Sequence, residues 1–81
     1  MHTTELIKQT LVNAFHPKQL HVQDDKAEHV GHAHADSGHF TVTIQADAFQ
    51  GKSAVEQHRM IYAALGDLMK THIHALRIRV S

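Results

Sequence analysis

The chain reads as an α+β fold: a single α-β-β-α-β domain spanning residues 1–81, with a three-stranded mixed sheet covered by helices on one face. Three observations predict it. The first fifteen residues carry a helical apolar period, residues 40–45 alternate strictly, and a second helical period from Ser53 gives way to renewed alternation ending at Val80.

Residues 4–15 set Leu6, Ile7, Leu11, Ala14 and Phe15 on one side of a 3.6-residue period, the stripe of a surface helix on a core. Thr3 or Thr4 supplies the cap, and His16-Pro17 closes the helix because the residue before proline is driven out of helical geometry. Leu20-His21-Val22-Gln23 alternates at period 2 and predicts a half-buried strand over about 19–24. From Asp25 to Gly38 no apolar period is sustained, so a long loop is expected, and loops of that length are usually either functional or disordered.

The second strand follows, with Phe40, Val42 and Ile44 on one face and Thr41, Thr43 and Gln45 on the other. Ser53-Ala54-Val55-Glu56 is a capping box that starts the main helix. Val55, His58, Ile61, Tyr62, Leu65, Leu68 and Met69 then carry that helix to about Lys70, with Gly66 weakening it without ending it. From His74 to Val80 the chain alternates again, Leu76, Ile78 and Val80 facing inward and His74 in phase with them. A hairpin-like link makes the first two strands antiparallel, and the helical crossover makes the second and third parallel.

Composition bounds the chemistry. A core built from 81 residues supports marginal stability. The chain has no cysteine, which excludes disulfides, thiol catalysis, a Cys-built zinc site and an iron–sulfur cluster held by this chain alone. Eight Lys+Arg balance eight Asp+Glu, which argues against bulk electrostatic binding to DNA or membranes and leaves a local basic patch open. No apolar run approaches the length of a membrane span, so a soluble, cytoplasmic protein with no membrane partner is expected. The unusual feature is histidine, 10 in 81 residues, a side chain that gains a proton between roughly pH 5 and 8 and binds transition metals.

Three of these histidines, His29, His32 and His34, fall within six residues in the expected loop, beside Asp24, Asp25 and Asp36. Spacing alone leaves two readings of that stretch, a metal-binding segment and a solvated loop. His58 on the main helix and His39 at the start of the second strand read as structural or supporting residues. His74 is different, because a polar ring at an inward-facing strand position needs a partner, whether backbone, loop or metal. His2, His16, His21 and His72 read as surface residues.

Gly51-Lys52-Ser53 lacks the upstream glycine of a phosphate-binding loop, that position being Ala46. Ser53 is better used as a helix cap than as a nucleophile paired with His58, so no catalytic machinery is evident and the protein is expected not to be an enzyme. Lys52, Arg59, Lys70, Arg77 and Arg79 carry the positive charge of the second half, either as solvated charge or as a modest surface for nucleic acid.

The blocks Gly38-His39-Phe40-Thr41-Val42-Thr43-Ile44, Phe49-Gln50-Gly51, His58-Arg59-Met60-Ile61-Tyr62 and Ile73-His74-Ala75-Leu76, with the earlier Asp24-Asp25 and His29-Val30-Gly31-His32, resemble the BolA family in order and spacing. The resemblance covers essentially the whole chain and implies a type II KH-like fold with a short helical turn before the main helix. It further implies a non-enzymatic protein that forms a heterodimer with a monothiol glutaredoxin. The pair would share a 2Fe-2S cluster in iron–sulfur assembly, trafficking or iron sensing.

On that reading His74 matches the family's C-terminal histidine ligand and His29 the loop ligand, with His32 as a substitute, while the partner and glutathione provide thiolates. The isolated chain is then a monomer that binds no cluster. The alternative that the resemblance implies is a DNA-binding transcriptional regulator of stress response and cell morphology, contacting DNA through Lys52, Arg59, Lys70, Arg77 and Arg79. A third reading is a stand-alone metal-binding protein built on the His-rich loop. Gly51 is followed by Ser53 and Ala54, so the Gly-x-x-Gly clamp of nucleic-acid-binding KH modules is missing.

Overall fold

The structure, a computed structural model, describes residues 3–25 and 38–81. Its elements are α1 (Thr3–Phe15), β1 (Gln19–Asp24), β2 (His39–Gln45), a 3₁₀ turn (Asp47–Phe49), α2 (Ala54–Leu65), α3 (Leu68–Thr71) and β3 (Ala75–Val80). The sheet order is β1-β2-β3. β1 runs antiparallel to β2, with Val22 opposite Val42, and β3 runs parallel to it, with Ile78 beside Val42. No helix among the described residues is long and apolar enough to cross a membrane.

Strand alternation decides which face is covered. Phe40, Val42 and Ile44 of the central strand are buried under the helices together with Ile7, Leu11, Ile61 and Leu65, and Leu20, Val22, Leu76, Ile78 and Val80 pack around them. The opposite parity, His21, Thr41, Thr43, Arg77 and Arg79 among it, forms a polar face without helices, as period-2 alternation requires. The 3₁₀ turn buries Phe49, whose ring centroid lies 4.9 Å from that of Phe15, so the end of α1 and the entry to α2 share one aromatic contact.

The helix ends show why the chain turns where it does. At the end of α1, His16 adopts φ 48° and its amide donates to the Val12 carbonyl at 3.0 Å, a left-handed cap that Pro17 follows. At its start, Thr3 and Thr4 belong to the helix, and Thr3 is buried. Ser53 does cap α2, with the reciprocal Ser53–Glu56 pair in place.

Four expectations are corrected. The main helix does not run to Lys70. It ends at Leu65, Gly66 takes φ 50° and ψ −121°, and a separate short helix, α3, follows. Glycine reaches that backbone geometry freely, and the helical period on both sides of it hid the break. The apolar stripe of α2 is also rotated: Val55 and Tyr62 are exposed, whereas Met60 and Ala64 pack against the core beside Ile61 and Leu65. Ala14 of α1 is exposed as well. Finally, β3 begins at Ala75, so His74 lies one residue before the ladder and is exposed, not inward.

Candidate functional site

The site grows from the register of the two parallel strands. His39 is the Cα partner of Ala75, so His74 and Gly38 occupy the next step outward, at the end of the sheet. The Gly38 carbonyl accepts the amides of both His74, at 2.6 Å, and Ala75, at 3.0 Å. Those two bonds tie the start of β3 to the residue before β2. Strand parity would send His74 toward the core, but its neighbour Gly38 has no side chain to pack against. The imidazole lies over Gly38 instead: a Cβ at position 38 would stand 2.8 Å from the His74 Cγ and 3.1 Å from Nε2.

His74 is thus anchored through its backbone and exposed through its side chain. Its ring nitrogens make no hydrogen bond among the described residues. His39, next in the chain after Gly38, is exposed on the polar face, and His72, two residues before His74, has Nδ1 2.6 Å from the Thr71 hydroxyl. His58 is half-buried on α2. Among the described residues, no three His, Asp or Glu side chains are placed to hold a metal ion together.

The loop histidines His29, His32 and His34, with Asp36, lie outside the described residues. The residues flanking them do not. Asp24 pairs with Phe40 and Asp25 accepts the Thr41 hydroxyl at 2.8 Å, so the chain departs for that segment and returns through Gly38 at the end of the sheet where His74 sits. Sequence reasoning singled out His74 and did not connect Gly38 with it. The available signal was a glycine directly before one strand, opposite a histidine directly before the next.

The basic residues divide into two groups. Arg77 and Arg79 are exposed on the polar face of the sheet, beside Thr41 and Thr43 of β2. Arg59 and Lys70 are exposed on α2 and α3, in the helical layer, and Lys52 is exposed in the turn before α2. The five do not form one continuous stripe.

A family model described as BolA-like protein matches residues 11–81. The chain belongs to the BolA family. The BolA domain of SufE1 from Arabidopsis thaliana superposes with a TM-score of 0.83 at 40% identity, covering 96% of this chain and 88% of that one. BolA1 from the same plant superposes with a TM-score of 0.88 at 29% identity, covering 100% and 92%. The three-stranded mixed sheet and its helices are therefore the BolA fold.

Among BolA relatives of known sequence, SufE-like protein 1 of Arabidopsis thaliana is 43% identical over 79 residues, which span 89% of this chain and 21% of that protein. The chain thus corresponds to about a fifth of that longer relative. The DNA-binding transcriptional regulator BolA of Escherichia coli is 37% identical over 78 residues, 96% of this chain and 73% of that protein.

Proposed function

We propose that this BolA-family chain is a non-enzymatic partner of a monothiol glutaredoxin and contributes histidine ligands to a 2Fe-2S cluster held between the two proteins. The observation that carries the reading is His74, an exposed imidazole fixed at the sheet end by the Gly38 carbonyl, with ring nitrogens unengaged among the described residues. Imidazole is a competent iron ligand, and a chain without cysteine has no thiolate to offer, so the sulfur donors belong to the partner and glutathione.

The residues fit a share of a cluster better than a whole one. His74 offers one nitrogen, and the segment carrying His29, with His32 as substitute, leaves and rejoins the sheet at the same end. A centre with two imidazoles in place of two thiolates carries less negative charge and a higher reduction potential than an all-thiolate one. The chain's own part is to present His74 in a fixed direction on a rigid sheet end. Adding the protein to a cluster-loaded monothiol glutaredoxin should change the visible absorption and circular dichroism. Spectra equal to the sum of the separate components would refute the reading.

A second reading rests on a different observation: the Escherichia coli and Vibrio cholerae relatives are named DNA-binding transcriptional regulators. On this reading the contacts come from Lys52, Arg59 and Lys70 or from Arg77 and Arg79, and the division between two faces lets one group engage a duplex at a time. Titration against duplex DNA at physiological salt separates the two readings.

A further inference from the structure

We propose that Gly38 is a positioning residue for His74: the space left by its missing side chain seats the imidazole and sets the direction in which the ring leaves the sheet. The functional part of this proposal rests on His74 being a cluster ligand, whereas the packing part stands on geometry alone.

Two independent requirements meet at this glycine. Its φ is +81°, a backbone region that side-chain-bearing L residues rarely adopt. Separately, a Cβ there would collide with the His74 Cδ2 and crowd Cγ and Nε2, at 2.8 and 3.1 Å. Asparagine tolerates the first requirement and fails the second. Glycine alone among the natural residues satisfies both.

Contrast with the other positive-φ glycines makes the point specific. A Cβ at Gly51 meets nothing within 4 Å, and at Gly66 it meets only the Ala63 carbonyl at 3.8 Å. Those two positions need backbone freedom, while Gly38 also needs emptiness. The Cδ2 edge of the imidazole faces Gly38, which places Nε2 on the near flank of the ring and Nδ1 across it. Because the Gly38 carbonyl also holds the His74 amide at 2.6 Å, one residue fixes both the main chain and the ring of His74. A displaced ring would point its nitrogens elsewhere with the sheet intact.

The test uses the full chain, first without metal. A nuclear Overhauser contact between the Gly38 Hα protons and the His74 Hδ2 proton is expected in the wild type, and its absence would overturn the proposal whether or not any variant folds. Gly38→Asn should shift the His74 ring resonances while leaving the amide spectrum of the sheet in place. Mixed with cluster-loaded monothiol glutaredoxin, that variant should give the spectrum of the glutaredoxin alone, as His74→Ala should.

Gly38→D-Ala, made by peptide ligation, permits positive φ and puts its methyl on the other side of Cα, so wild-type ring resonances and cluster spectrum are expected. A folded Gly38→Asn with wild-type ring resonances, or a Gly38→D-Ala that loses them, contradicts the proposal. If the Overhauser contact is present and His74→Ala leaves the cluster spectrum unchanged, the seat for the ring is upheld and the ligand reading fails.

Discussion

Ser53 and Glu56 close a reciprocal pair at the start of α2: the Glu56 amide donates to Ser53 Oγ at 3.2 Å, and the Ser53 amide donates to Glu56 Oε1 at 3.4 Å. Each satisfies an amide that the first helical turn leaves without a partner. We predict that Ser53→Ala costs about 1 kcal/mol of stability, seen as a lower urea midpoint, without altering any property of His74. An unchanged midpoint would contradict this role for the cap.

Gly66 gives the opposite kind of test, since a Cβ there meets only ordinary contacts and any cost comes from its backbone geometry. With φ 50° and ψ −121°, Gly66→Ala is predicted to destabilise the protein by about 1–3 kcal/mol. A gain in stability would mean that the helix runs unbroken from Ala54 into α3.

Core and surface positions should differ sharply. Phe40, 1% exposed on the central strand, is predicted to cost about 3–5 kcal/mol as Phe40→Ala, a large part of the stability of a domain this size. Val55, 59% exposed, should change stability by no more than about 0.5 kcal/mol as Val55→Ala. Similar denaturation midpoints for the two variants would contradict the burial of Phe40 and the exposure of Val55.

Much of the fold was legible because strict alternation and a capping box are local signals. β1 falls at Gln19–Asp24 and α2 begins after Ser53, as those signals require. The end of α2 was not legible, because Leu68 and Met69 continue the apolar period across Gly66 and only backbone geometry records the break. The buried face of α2 was read about one side chain too far toward Val55 and Tyr62, since a period fixes spacing better than direction. At the site, the phase of His74 was readable and its exposure was not: parity describes a strand, and His74 sits one step beyond the ladder, over a glycine.

Electrostatics sets the expectation for nucleic acid. Formal charge is zero at pH 7, and among the described residues the exposed Arg77 and Arg79 lie on the polar sheet face whereas Arg59 and Lys70 lie on the helices. We predict that the dissociation constant for arbitrary duplex DNA at physiological salt is no tighter than roughly micromolar and weakens steeply with added salt. A nanomolar, sequence-selective complex would put the regulator reading first, and paired Arg77→Ala/Arg79→Ala and Lys52→Ala/Arg59→Ala variants would show which face carries it.

The most direct measurement is the circular dichroism spectrum of cluster-loaded monothiol glutaredoxin mixed with His74→Ala. The substitution removes the donor nitrogens and leaves Leu76, Ile78 and Val80 packed in β3, so the domain should remain folded. The spectrum should revert to that of the glutaredoxin alone, while His29→Ala should weaken the wild-type signal less, because His32 can substitute. A folded His74→Ala that reproduces the wild-type cluster spectrum would contradict the assignment of His74 as the ligand.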